Sequence, residues 1–247
     1  KGSIVEMLSV PLQQMARAGY YYWEEMEEEL AEELNYFIPK EVVSQYAQNG
    51  ADMVKNFIEG NRIKEEPFRF IKLYIQLGAD YPREYLDAFA CLTQGYWYME
   101  ETSHAQIYGV GMESRLGYML TNYKTMPEGY EVTHVSFLPQ LEYVLEKLFS
   151  DNKYLEIPML AVTFSPAFWG WMLLGYLFWQ MYHRHYRALI PILPLACYHL
   201  TLLLGPVCIV RYVYPVIVCM PVVVVYTVGA QRSREDDVTG TYAAVKN

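Results

Sequence analysis

The chain has 247 residues, with 28 acidic against 19 basic side chains, a net charge of −9 and a mean hydropathy of +0.02. That average joins two unlike parts: residues 1–157 hold 13 Lys/Arg against 25 Asp/Glu, and residues 158–247 hold six against three. An acidic N-terminal part argues against a nucleic-acid partner, whose phosphates need a basic face. The four cysteines, Cys91, Cys197, Cys208 and Cys219, match neither a disulfide framework nor a zinc spacing.

The chain opens on Lys1 with no signal-peptide pattern, and Ser3 to Arg17 already reads as the middle of a structure. The expectation is therefore the C-terminal piece of a longer protein. Within this opening, Gln13 and Gln14 stand beside an apolar turn. They suit either the hydroxyls of a sugar or the bridging of neighbouring helices. From Trp23 to Tyr36, Met26, Leu30 and Leu34 recur at spacing four among seven glutamates, one apolar stripe on a solvated helix. These glutamates lack the loop geometry of a calcium site. Ile38-Pro39-Lys40-Glu41 marks a helix start. Glu66 to Leu77 places Phe70, Leu73 and Leu77 on one face. Tyr81-Pro82-Arg83-Glu84 opens a further helix, expected to carry Leu86, Phe89 and Thr93 on its apolar side. Thr102 to Thr133 reads as loop or short strands. Leu138, Leu141, Leu145 and Leu148 line a last helix of this part.

From Ile157 to Arg234 there is no acidic residue. A charge in hydrocarbon costs on the order of 3 kcal/mol, so a bilayer accounts for such a gap. Three spans are expected, at about 159–182, 188–204 and 207–228, each near the length a bilayer requires. Arg184, Arg187, Arg232 and Arg234 belong in the cytoplasm by the positive-inside rule. Residues 1–157 then form an extracytoplasmic, mostly helical domain, 158–230 a bundle of three transmembrane helices, and 231–247 a cytoplasmic tail. The expected fold class is mainly α and the expected place a bacterial plasma membrane.

Arg211 is the exception to this charge pattern, since it falls at the outer end of the last span. An arginine there either holds a phosphate through two parallel hydrogen bonds or anchors the helix by snorkelling. Tyr212 and Tyr214 flank it. Trp97-Tyr98 and Thr102-Ser103-His104 form an aromatic and polar patch suited to a sugar face or to a membrane interface. His104 and His134 are candidate bases or metal ligands, although a lone histidine more often has a structural role. His183 and His185 sit on the other side. No phosphate loop, zinc-protease motif, nucleophile elbow or dinucleotide fingerprint is present, so no cofactor or metal is expected.

The runs Ile4–Gln14, Tyr81–Phe89, Gly95-Tyr96-Trp97-Tyr98, Ser103-His104-Ala105-Gln106 and Gly205-Pro206 through Arg211-Tyr212-Val213-Tyr214-Pro215 resemble an uncharacterised group, a domain of unknown function, in large polytopic membrane proteins of Gram-positive gut bacteria. The likeness covers nearly the whole chain and carries no established activity. The Arg211-Tyr212-Val213-Tyr214-Pro215 start of a late span is also similar to one in the GT-C class of membrane glycosyltransferases. That class takes a sugar from a polyprenyl-phosphate donor on the outer face and keeps its catalytic carboxylate in its first outer loop. This resemblance implies that Arg211 binds the donor phosphate, that Tyr212 and Tyr214 flank the lipid, and that Gln13, Gln14 and Trp97 contact a glycan acceptor, with His104 beside them. The alternative is a non-catalytic membrane protein: a glycan-lipid transporter, or an anchored binding or scaffold module.

Overall fold

The computed structural model of the protein describes residues 3–48, 50–99 and 137–245. These residues are mainly helical, and among them there is no β-strand, only an isolated antiparallel bridge between Gly50 and Val207. The N-terminal helices are α1 (Ser3–Met7), α2 (Ser9–Tyr22), α3 (Glu28–Phe37), α4 (Lys40–Val43), α5 (Asp52–Lys55), α6 (Gly60–Glu65), α7 (Pro67–Asp80) and α8 (Pro82–Thr93). A 3-10 turn, Gln94–Tyr96, follows α8.

Helix α2 is the hub of this group. Leu12, Met15, Ala16 and Ala18 are fully buried on it, and α1, α3, α4, α5, α7 and α8 all pack against it. Small residues make that possible: a Cβ on Gly19 would stand 2.8 Å from Leu34 Cδ2 and 3.1 Å from Val43 Cγ1. The stripe Met26, Leu30, Leu34 is buried against the hub, as are Phe70, Leu73 and Leu77 of α7. Each such side chain contributes roughly 1.5–3 kcal/mol by leaving water. Proline in the first turn starts both α7 and α8, where its missing N–H costs nothing.

Helix α8 keeps part of its expected face, with Thr93 buried and Phe89 half-buried, but is rotated away from Leu86. It buries Glu84, Tyr85, Ala88, Leu92 and Thr93, while Leu86 is 71% exposed. The reason is an ion pair: Arg17 of the hub draws Glu84 inward at 2.7 Å, which turns Leu86 out.

The C-terminal helices are α9 (Pro139–Phe149), a 3-10 stretch at Ser150–Glu156, α10 (Pro158–Thr163), α11 (Pro166–Tyr182), α12 (Tyr186–Leu189), α13 (Leu193–Leu202) and α14 (Val210–Val245). Leu138 and Leu141, expected on an apolar face, are exposed. One helical stretch among the described residues is long and apolar enough to cross a membrane, Val210–Gly229. The three continuous transmembrane helices expected are therefore not all present as such. The first expected span breaks at Phe164–Ser165, since Pro166 disfavours a helical conformation in the residue before it. It leaves a helix of 17 residues. The second breaks between Leu189 and Leu193 around Pro191, and its longer piece has 10 residues, a rise of about 15 Å against a hydrocarbon thickness of about 30 Å. The third continues through Pro215 and Pro221.

Helices α11 and α14 start on the same side and run the same way. Leu173 packs with Val213, Val216 and Met220, and the Tyr176 hydroxyl meets that of Thr227. The chain turns back after α11 through a compact C-cap. His185 N–H donates to the Gln180 carbonyl and Arg184 N–H to that of Met181, with Arg184 itself left-handed at φ 58° where glycine is usual.

Candidate functional site

Arg211 is the second residue of α14, so its side chain leaves the helix in the first turn. Its neighbour Val210 is fully buried against Tyr154, with Leu160 and Phe164 around them, and this packing sets the helix start in place. The half-buried guanidinium lies over the Tyr212 ring, 5.3 Å from its centroid. Among the described residues it makes no ion pair. The Tyr198 hydroxyl of α13 donates to the Tyr212 carbonyl at 2.7 Å, which ties α13 to this turn. Pro215 has no N–H to offer the Arg211 carbonyl. Tyr214 is on the exposed side. A helix N-terminus carries about half a positive charge. It is joined here by an arginine in a segment without carboxylates, so the site has a positive potential that no carboxylate among the described residues balances. At an effective dielectric of about 20, an anion 4 Å from such a charge gains about 4 kcal/mol before desolvation.

The N-terminal helices meet α11 and α14 at this same level. The Ala51 N–H donates to the Pro206 carbonyl at 2.9 Å, and the Tyr96 hydroxyl lies 3.4 Å from the Val207 carbonyl. Trp97 stands at the junction, 47% exposed, and its carbonyl accepts the indole N–H of Trp171 at 2.9 Å. Trp171 is exposed too, so the two indoles stand together at the outside of the junction.

The two glutamines are elsewhere, and the structure gives them structural roles. Gln13 is fully buried, its amide N–H₂ donating to the Ala47 carbonyl, while its Oε1 has no hydrogen-bond partner among the described residues. Gln14 uses both ends of its amide: Nε2 donates to the Tyr85 carbonyl at 3.0 Å and Oε1 accepts from the Tyr74 hydroxyl at 2.8 Å. A residue so committed bridges α2, α7 and α8 rather than presenting itself to an acceptor sugar. His104, with Thr102 and Ser103, and His134 lie outside the described residues.

A second polar assembly has no counterpart in the sequence reading. Buried Arg17 donates to Glu84 at 2.7 Å, to Asp87 at 3.4 Å and to the Tyr46 hydroxyl at 3.2 Å, and its guanidinium lies 4.9 Å from the Tyr21 ring. Burial pushes the Tyr46 hydroxyl up to about 12, although its hydrogen bond with Arg17 pulls the other way. The signal was present as spacing: Ser9, Gln13 and Arg17 recur every four residues, a polar seam along one line of the helix.

Two open clefts of about 420 Å³ each lie over the N-terminal helices. In one, between α3 and α7, the arginine is already committed: Arg69 binds Glu33 through Nη2 and Nε, at 2.7 and 2.8 Å, and Glu66 through Nη1 at 2.9 Å. The other runs from Gly19 to Glu25 and from Lys40 to Ser44 and is lined by tyrosines and a tryptophan. No group of three or more metal-binding side chains occurs among the described residues.

No curated protein and no solved structure is significantly similar to this chain. A sequence-family profile matches residues 1–241, nearly the full length, and the chain accordingly belongs to a family of unknown function, DUF6020.

Proposed function

We propose that this chain is part of a multi-pass membrane protein that holds a polyprenyl-phosphate-linked sugar at Arg211 and acts as a GT-C-like glycosyltransferase for a cell-envelope glycan. The observation that carries the reading is Arg211 itself: an arginine in the first turn of the helical stretch long and apolar enough to cross a membrane, without an ion-pair partner among the described residues, at the level where the N-terminal helices meet the C-terminal ones. In this reading residues 1–157 are extracytoplasmic, the Trp97–Trp171 pair marks the outer interface, and Arg184, Arg187, Arg232 and Arg234 face the cytoplasm. Glycosyl transfer forms a bond from the acceptor hydroxyl oxygen to the sugar and breaks the bond from the sugar to phosphate. The acceptor proton passes to a base, which the GT-C resemblance places in that class's first outer loop. The lipid phosphate leaves with the bonding electrons. Arg211 binds that phosphate and stabilises the charge that grows on it, with Tyr212 and Tyr214 beside the lipid.

Non-catalytic handling of a glycan lipid is the second reading, favoured by one observation. The segment expected to form span two is discontinuous, Tyr186–Leu189 then Leu193–Leu202, and interrupted helices of this kind build substrate sites in transporters.

The test is native mass spectrometry of the protein purified in mild detergent, wild type beside Arg211→Ala. A co-purifying polyprenyl-phosphate species that is lost in the variant is the expected result. Its absence from both folded samples removes the lipid-phosphate role from Arg211. If the lipid is retained, sugar release to an acceptor separates the transferase from the transporter.

A further inference from the structure

We infer that the cleft between the end of α2 and the start of α4 is a carbohydrate subsite that takes an N-acetylated sugar. The inference rests on the glycan reading above and supplies the acceptor contact that Gln13 and Gln14, committed inside the helix bundle, do not make.

The cleft has a volume of about 420 Å³, inside the range of about 300–1,000 Å³ usual for ligand sites. Its floor is aromatic and pre-set. Tyr21 lies under the Arg17 guanidinium, which Glu84 holds from the other side. Tyr20 meets Tyr21 edge-on at 5.1 Å and Tyr46 at 5.6 Å. Trp23 has the Lys40 ammonium 5.3 Å from its ring, and Lys40 is itself fixed by Glu24 at 2.7 Å. The buried Arg17–Glu84 pair holds the Tyr21 ring before any ligand arrives, which lowers the ordering cost of binding there, whereas the Lys40–Glu24 pair over Trp23 is exposed and adds little. Tyr20 and Tyr21 nevertheless remain about half exposed, at 49% and 47%. Such exposed aromatic faces suit the C–H face of a pyranose.

The polar rim decides the ligand class. Glu24 and Glu25 outnumber Lys40, so the cleft repels a phosphate and differs in sign from the Arg211 site. The Glu25 carboxylate has no ion pair among the described residues and accepts hydrogen bonds from sugar hydroxyls or an acetamido N–H. Lys40 keeps further N–H donors for the acetamido oxygen. The Ser44 hydroxyl, which donates to the Glu41 carbonyl at 2.7 Å, still accepts, and the half-buried Trp23 ring offers apolar surface for the methyl group.

The experiment is saturation-transfer NMR on the detergent-purified chain with chitotetraose, an N-acetylglucosamine tetramer. Saturation of its ring and acetyl protons is expected in the wild type. Tyr21→Ala and Glu25→Gln, both at exposed positions, are expected to weaken binding about ten-fold with unchanged circular dichroism. Arg211→Ala is expected to bind the sugar as the wild type does. No transfer in the folded wild type, or equal transfer in the wild type and Tyr21→Ala, overturns the subsite. Either outcome is separable from failure of the lipid reading, because a chain that keeps its Arg211-dependent lipid and ignores chitotetraose loses only the subsite.

Discussion

Arg17, Arg69 and Arg211 carry the same charge into three different surroundings. Arg17 is buried and fully paired, so it organises packing. Arg211 has no carboxylate near it in sequence and none paired with it among the described residues, which is what makes it a candidate for an external anion. Arg69 is half exposed, and it holds two carboxylates below their ordinary range. For Glu33 the main cause is the hydrogen bonding from Arg69; for Glu66 it is the Tyr36 hydroxyl first and Arg69 second. A depressed folded value means that this contribution to stability is fully present above the ordinary glutamate value of 4.5. It is lost as pH falls through the lower folded values. Arg69→Met is therefore expected to lower the melting temperature relative to wild type at pH 7, with the difference narrowing as pH drops below 4.5. A difference that stays constant over that window rules out the ion pairs with Glu33 and Glu66 as its origin and leaves the contact of Arg69 with the Tyr36 ring, 4.3 Å away, as the source.

At the scale of elements, the junction between the N-terminal helices and α11 depends on close approach. A Cβ on Gly170 would stand 2.7 Å from His199 Nε2 and 3.1 Å from the Tyr96 carbonyl oxygen, so α13 and the Gln94–Tyr96 turn both close on this glycine. Gly175, five residues along the same helix, has nothing within 4 Å of such an atom. Gly170→Ala is expected to cost about 1–3 kcal/mol by overpacking. Gly175→Ala is expected to be neutral or to stabilise by up to about 1 kcal/mol through helix propensity. Thermal unfolding of the two variants in one detergent checks the contrast, and similar behaviour of both would mean that the junction is not tightly packed.

At the scale of the whole molecule, the charge asymmetry and the direction of the helices make a single topological prediction. The proposed outer side holds α1–α8, and the proposed inner side holds the turn at Arg184 and the segment from Gln231 to Arg234. In a cysteine-free background, a membrane-impermeant maleimide added to intact cells is expected to label a cysteine placed at Glu25. A cysteine placed at Ser233 is expected to react only after the membrane is permeabilised. Labelling of both positions in intact cells, or of neither, would contradict this arrangement.

The helical class, the apolar stripes of α3 and α7 and the proline starts of α7 and α8 were legible in the sequence. These are local effects, set by side-chain period and by a ring that removes one N–H, and they do not depend on what lies across the fold. Family membership was legible too, because it is a property of the residue order over the full length. The rest required three dimensions. The rotation of α8, the commitment of Gln14 to Tyr74 and Tyr85, and the clamping of Tyr21 by Arg17 join residues 60 or more positions apart or depend on such pairs, and no spacing rule announces them. The breaks before Pro166 and around Pro191 sit between the two cases. Proline made them permissible, but Pro215 and Pro221 show that a helix can also run through, and packing against neighbouring helices decided which happened. Composition thus determined which segments are apolar, and tertiary contacts determined which of those became continuous helix and where each polar side chain spent its hydrogen bonds.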